Sequence, residues 1–492
     1  MAAQHFAGPV LCATLVDRDD ERRELSALLA TGSPRLALLT GRRRIGKTYL
    51  LTHTWSPDRF FLFTATRTTA DVNRVQLLLD FSRWSGEDIR VEDYPTWRTV
   101  FNLLLDFRTP EPLVVALDEF QYLAEDETGV GGLASELNAA LERRRALRPI
   151  LLVLAGSAVG TMEALAAGGG PLYGRFAWQH RLRPFSYWHA GELAGLVDLR
   201  ERALAYGIFG GTPRYLAALD PNIGLIENVQ HLLLAPRGEV RLLVETAIEQ
   251  EEGLRDVAKY RAVLRAVAGG ATKRNEIAQR AGLPNDNALR DKLVRLIELG
   301  YIERWQNIDA KSNDAVRYGI ADPCFRFHQR FVEPNTSVLE RYDPAHVWAE
   351  NVEPHLDAYM GREFERIANQ AYDRRRVALG LPMVQHWGRW DGVDRARRSL
   401  EIDIVAPLTT GGTMTGTVKW ARDPVSADLH FRHLDMLQRA ADSGRRWAHE
   451  AIKPAAPLFF LAAGGFTRGF HEAAEASGHP LIAWCLKDLY QE

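Results

Sequence analysis

The stretch "LALLTGRRRIGKTYLL", residues 36–51, runs from apolar residues through two glycines that bracket three arginines, then a lysine and threonine, into a second apolar run. A short apolar run that ends in a turn and gives way to a helical repeat predicts strand, loop and helix. The loop Gly41, Arg42, Arg43, Arg44, Ile45, Gly46, Lys47, Thr48 matches G-x-x-x-x-G-K-[ST] at every fixed position, with Tyr49 opening the helix. That pattern needs the strand-to-helix setting found here. Glycines let backbone N–H groups curl around phosphate oxygens, the lysine reaches the β and γ oxygens, the threonine hydroxyl ligates Mg²⁺, and the start of the helix favours an anion. Residue usage sharpens the reading. Of 61 Lys and Arg only eight are Lys, and Lys47 is the only lysine among the first 258 residues. Where any positive charge suffices this chain uses arginine.

Working outward, short apolar runs recur at 59–65, 112–117, 149–155 and 180–185, separated by amphipathic segments. Runs of that length predict a parallel sheet covered by helices. The run "LVVALDEF" ends on two carboxylates. Asp118 is suited to hold Mg²⁺ with Thr48, and Glu119 to polarise an attacking water as base. A strand end with solvated acids is the plainer alternative. The next run ends "LAGS", which puts Ser157 where a polar group senses a terminal phosphate. Arg175 in "PLYGR" is a candidate charge on that phosphate, in cis or toward a neighbouring subunit, or else a surface arginine.

The ordered set "LVDRDDERREL", "LLTGRRRIGKT", "ALDEFQYL", "LVLAGSAVGTME", "PLYGR", "RPFSY" and "GGTPRYL" resembles the archaeal-type ATPases, a branch of the AAA-like P-loop superfamily. The resemblance covers about residues 1–330. It implies that Asp17 and Arg18 lie near the base of the nucleotide. It also implies ATP over GTP, since no N-K-x-D stretch is present.

Residues 190–250 are Leu- and Ala-rich and read as a helical lid. Residues 255–307 show three helical repeats followed by "YIERW" and "AVRYGI", a pattern that predicts a winged helix. Within 253–307 eleven Lys and Arg face six acids, and a basic winged helix sets one helix in a DNA groove with its charges on phosphates. Lys292 and Arg295 are the candidate phosphate contacts. Winged helices also serve as rigid accessories and protein docks, and that alternative stays open.

After a helix containing "GREFER", strand-like runs are expected at 382–387, 399–406, 414–420 and 457–462. Period-two alternation in "RSLEIDIVAP" sets Glu401, Asp403 and Val405 on one face, and in "MTGTVKW" Thr415, Thr417 and Lys419 on one face. With Glu365 from the helix, acids beside a lysine suit metal-dependent phosphodiester cleavage with Mg²⁺ or Mn²⁺. "GREFE", "GRWD", "EIDIVA" and "VKW" resemble the C-terminal domain that accompanies archaeal-type ATPases, itself similar to PD-(D/E)xK nucleases. Thr417 stands where that pattern has an acid and removes one ligand. An active nuclease, a retained nucleic-acid-binding shell and a structural domain are the three readings.

The expected fold is therefore α/β: a P-loop NTPase parallel sheet (1–190), a helical lid (191–250), a winged helix (251–335) and a restriction-endonuclease-like α/β domain (336–492). Composition agrees with ordinary globular domains: 46% hydrophobic, 25% charged, net charge −2. Cys12, Cys324 and Cys485 make no metal spacing and no disulfide framework. No apolar run approaches the roughly 20 residues of a membrane span, so a cytoplasmic protein is expected. The function expected is ATP hydrolysis acting on double-stranded DNA, by a homo-oligomer; the rival is an ATP-gated switch or regulator without processive turnover.

Overall fold

The computed structural model describes residues 16–29, 35–109, 112–124, 129–143, 150–251, 254, 256–311 and 316–491. Cys12 and Arg255 lie outside them. The chain divides into two compact units, 1–184 with 251–254, and 185–250 with 255–492.

The first unit is a five-stranded parallel sheet: β1 (Arg35–Thr40), β2 (Phe60–Thr64), β3 (Leu113–Asp118), β4 (Ile150–Gly156) and β5 (Phe176–Arg181), in the order β2-β3-β4-β1-β5. Successive residues of each inner strand enter opposite cores. Leu36, Leu38, Val115, Leu117, Leu152 and Leu154 pack with the helices Ala70–Ser85, Trp97–Asp106 and Gly129–Glu142. Ala37, Leu39, Val114, Ala116, Val153 and Ala155 pack with Leu25, Leu50 and Leu51 on the other face. A sheet buried on both faces needs apolar residues at every position, which is why these strands read as unbroken runs. The edge strand β5 has one face wet: its residues alternate between half-buried and exposed. Its polar alternation "FAWQHR" hides it, and the strand expected at 180–185 begins instead at Phe176.

The second unit opens with short helices, among them Tyr187–Leu193, Leu199–Phe209 and Glu239–Glu245. Three helices follow, Val257–Ala268, Arg274–Ala281 and Asn287–Glu298, then an antiparallel pair, β6 (Ile302–Trp305) and β7 (Arg317–Ile320). Gly282, at φ 65°, closes the second of these helices, and Asp286 caps the third by accepting from the Leu289 N–H at 3.0 Å.

The long helix Glu353–Arg375 then leads into a mixed sheet of β8 (Gly388–Val393), β9 (Ser399–Pro407), β10 (Thr413–Lys419), β11 (Leu458–Ala462) and β12 (Leu481–Trp484). β8, β9 and β10 are antiparallel, while β10, β11 and β12 are parallel. The strand expected at 382–387 is not formed; Val384 makes an isolated bridge and pairing starts at Gly388. The glycines of "GRWDGV" disguise β8, whose Trp390 is fully buried. β12, an edge strand of four residues, is an addition to the expected set. Among the described residues no helix is long and apolar enough to cross a membrane.

Candidate functional site

In a parallel sheet every strand ends at the same edge, and ligands of open α/β sheets sit at that edge. The loop after β1, the acids ending β3 and Ser157 after β4 therefore meet, although they are far apart in sequence. Gly41 and Gly46 take φ 154° and 92°, and a Cβ at Gly41 would stand 2.9 Å from the Leu182 carbonyl oxygen. Glycine is required there. Lys47 is buried, and its Nζ donates to the loop's own carbonyls, Gly41 O at 2.8 Å and Arg42 O at 3.4 Å. Burial lowers its pKa.

Thr48 Oγ1 donates to Asp118 Oδ2 at 2.5 Å. Burial raises Asp118 above the usual carboxylate range, with the neighbouring Glu119 charge adding to it and the Thr48 hydrogen bond opposing. Glu119 is also buried, but the Lys47 charge and hydrogen bonds from Ser157 and Gln121 outweigh burial and hold it below the usual value. Ser157 donates to Glu119 Oε2 twice, from Oγ at 2.7 Å and from N–H at 3.1 Å, and Gln121 Nε2 donates to the same oxygen at 2.6 Å. Glu119 itself has φ 52°, a left-handed conformation that a non-glycine residue adopts at a cost and that is concentrated at functional sites. A buried cation, a hydroxyl and two acids around a glycine loop have the donor set of a polyphosphate with Mg²⁺.

Sequence reasoning passed over two neighbours of this edge. Gln121 holds Glu119, and Tyr122 accepts from Arg43 at 2.5 Å and Arg67 at 2.7 Å through its hydroxyl. Their only sequence signal is position, directly after the acids. Asp17 and Arg18 lie where β5 ends: buried Arg18 donates to the Arg183 carbonyl at 2.7 Å and pairs with Glu21 at 3.4 Å. β5 continues to the Leu182 N–H, which donates to Thr40 O at the start of the loop.

Arg175 requires a correction. It precedes β5 at the opposite edge of the sheet, six residues or roughly 20 Å of strand from Arg181, and is paired with Glu142. It lies at the far end of the strand from its own loop, which leaves a role toward another subunit and a surface arginine paired with Glu142 as the readings.

In the second unit part of the basic excess is paired internally. Lys259 pairs with Asp256, Arg261 with Glu249, Arg265 with Glu333 and Lys273 with Glu276. Lys292 and Arg295 also need correction as outward contacts. Both are half-buried, Lys292 against the Tyr260 ring at 5.5 Å and Arg295 paired with Glu298 at 3.2 Å. Leu289, Leu293 and Leu296 face the core, so the helical period turns Arg290, Asp291 and Val294 outward.

Glu365 and Asp403 line one cavity, and Glu401 stands exposed beside them. Burial and the Asp403 charge push Glu365 up to about 7. Burial raises Asp403 as well, opposed by Lys419 at the exposed end of β10 and by the Val418 N–H, which donates to it at 2.9 Å. The expected alternation breaks at a β-bulge: β8 and β9 pair Gly388 with Val405 and Trp390 with Ile402, two residues against three. Ile402 and Val405 therefore share the core beneath the helix Ala427–Asp442. Thr415 and Thr417 also turn to that side, their hydroxyls 3.0 Å from the two ring nitrogens of buried His433. Thr417 thus points away from Asp403 and is not a vacant ligand position beside it. Among the described residues no three His, Cys, Asp or Glu side chains are grouped to hold a metal ion, so the possible second Mg²⁺ or Mn²⁺ is not shown.

A family model described as archaeal and bacterial proteins of unknown function matches residues 328–431. An uncharacterized protein of Methanocaldococcus jannaschii is 26% identical over 406 residues, covering 80% of this chain and 84% of that protein. Among solved structures, a Walker-type ATPase of Pyrococcus abyssi is 23% identical, covering 64% of this chain and 96% of the other at a TM-score of 0.47. The Aeropyrum pernix ORC2 protein is 14% identical, covering 65% and 92% at 0.40. The ORC1 protein of that organism, solved in complex with DNA, is 16% identical, covering 67% and 95% at 0.34.

Proposed function

We propose that this chain binds and hydrolyses ATP at the edge formed by Lys47, Thr48, Asp118, Glu119 and Ser157. The observation that carries the reading is the pair of hydrogen bonds from Ser157 to Glu119, beside the Thr48–Asp118 bond. A carboxylate held ionised and aimed by two donors is suited to take a proton from water. Thr48 and Asp118 hold Mg²⁺, which when bound neutralises charge on phosphate oxygens. Lys47 supplies the fixed positive charge, and the loop N–H groups between Gly41 and Thr48 orient the phosphates. Asp17 and Arg18 border the base.

The energy of this cycle acts on double-stranded DNA through the three helices and hairpin of residues 257–320, read as a winged helix. The chain works as a homo-oligomer in which Arg175 serves a neighbouring site. The C-terminal unit is a nuclease-like shell without cutting activity, a reading supported by the direction of Thr417 and the absence of a grouped metal set among the described residues. The competing reading is an ATP-gated switch, with which the ion pairs of five basic side chains in 257–320 are also compatible. ATPase rate with and without double-stranded DNA separates the two. Stimulation of several-fold supports action on DNA, while slow turnover unaffected by DNA supports the switch. No turnover under either condition rejects both the hydrolase and its cycle.

A further inference from the structure

The turn joining β8 to β9 concentrates charge that ATP hydrolysis does not use. Its sequence, "VDRARRS" at 393–399, is rich in arginine: Arg395, Arg397 and Arg398. Val393 pairs with Ser399, and the loop closes where the Asp394 N–H donates to Arg398 O and the Arg397 N–H donates to Asp394 O, both at 3.0 Å. Arg397 takes φ 61°, the left-handed conformation that ends a three-residue hairpin loop and that glycine adopts at least cost.

Asp394 makes this turn rigid. It is buried, and its Oδ1 accepts from the Arg398 N–H at 2.8 Å while Oδ2 accepts from Arg398 Nε at 2.8 Å and Arg439 Nε at 3.0 Å. Arg439 belongs to the helix Ala427–Asp442, so the turn is tied to the helix beside it. The same bonds occupy the acid. Asp435, the other acid here, also goes to Arg439, at 3.3 Å. Arg395 and Arg397 are exposed, and among the described residues neither side chain has an acid partner. The two charges that are not neutralised therefore sit together in the loop, held by a fixed backbone.

A fixed cluster of cations is the electrostatic footprint of a polyanion. Guanidinium groups match phosphate oxygens two at a time, which a lysine cannot do. Val393 is the single large apolar side chain exposed at the turn, too little for a membrane surface, where binding scales with buried apolar area. Residues 393–399 include no aromatic ring on which an unpaired base could stack. A rigid turn suits phosphates whose spacing is itself fixed by a double helix.

We propose that the β8–β9 turn is a contact surface for the phosphate backbone of a nucleic-acid duplex, with Arg395 and Arg397 each on a phosphate and Asp394 as the positioning residue. The surface is distinct from residues 257–320, and the proposal stands without a DNA role for them.

The test titrates a fluorescently labelled DNA duplex into the full chain by anisotropy across a salt series. Arg395→Ala with Arg397→Gly removes both charges and keeps the turn, because glycine takes φ 61° without strain. This variant is expected to lose about 1.8 of the log–log salt slope, two contacts at about 0.9 each, and to bind at least tenfold more weakly at low salt. Arg395→Lys with Arg397→Lys is expected to keep most of the slope. An unchanged slope in the Ala/Gly variant overturns the proposal; if Arg290→Ala lowers the slope in the same series, the DNA reading of 257–320 survives that failure. Loss in the turn variant alone supports the turn and removes 257–320. No duplex binding by the parent chain overturns both. A single strand or phosphatidylserine vesicles bound more tightly than the duplex through the same two arginines also overturns the proposal.

Discussion

Thr48 Oγ1 donates to Asp118 Oδ2 across 2.5 Å, joining two residues separated by 70 positions. The bond fastens the helix after the glycine loop to the end of β3, and it leaves a buried acid, raised above its usual range, next to a second acid. The two carboxylates repel each other, and the buried Lys47 charge offsets part of the cost of burying both.

Lys47→Ala is expected to reduce ATP affinity at least 100-fold, and Glu119→Gln to keep binding while lowering turnover by roughly 10²–10⁴, the range for loss of a general base. A fluorescent-nucleotide titration and a phosphate-release assay read the two quantities. Wild-type turnover in Glu119→Gln would remove Glu119 from the mechanism.

Ser157 acts on Glu119 and not on the substrate in this arrangement, so Ser157→Ala is expected to lower kcat about tenfold with little change in KM. The hydrogen bonds from Ser157 help keep Glu119 below its usual value. Losing the hydroxyl raises that pKa, so the acid limb of the kcat profile moves to higher pH. A profile that keeps its midpoint contradicts this role.

If residues 257–320 contact DNA, affinity falls with salt, and each phosphate contact contributes a log–log slope of about 0.9. Arg290→Ala is expected to reduce the slope by one such unit. Lys292→Ala is expected to change it less, because Lys292 lies against Tyr260. Fluorescence anisotropy between low and moderate salt measures both, and a larger loss from Lys292→Ala reverses the orientation inferred for this helix.

Thr417→Glu is expected to yield no DNA cleavage with Mg²⁺ or Mn²⁺. It should destabilise the second unit instead, since a carboxylate there replaces a hydroxyl bonded to buried His433, which burial pushes down to about 3 and keeps neutral. The cost of an unpaired buried charge is several kcal/mol. A well-folded, cleaving Thr417→Glu protein would restore the picture of a decayed ligand site.

Glu365 gives a pH signature. Its folded value of about 7 lies above the usual 4.5, so the folded state binds the extra proton between those values and stability falls as pH rises through that window. Glu365→Gln is expected to remove the fall and to stabilise the second unit near pH 8 by on the order of 2–3 kcal/mol. Thermal melts at pH 5 and pH 8 check it; an identical pH dependence in the variant excludes Glu365 as the source.

The residues of 36–51 and 113–119 by themselves determined strand, glycine turn, lysine and paired acids, because those depend on local geometry and on apolar runs that only a sheet buried on both faces can use. Such signals are short-range, and they weaken wherever a strand is half wet or rich in glycine, as at β5 and β8. Tertiary structure decided what no spacing reveals. The strand order set β4 between β1 and β3, which brought Ser157 to Glu119 and left Arg175 at the far edge. One extra residue in β9 turned Val405 into the core with Ile402, opposite Thr417's expected partners. Period-two reasoning holds only while the ladder stays in register, and a bulge is stabilised by packing against elements distant in the chain.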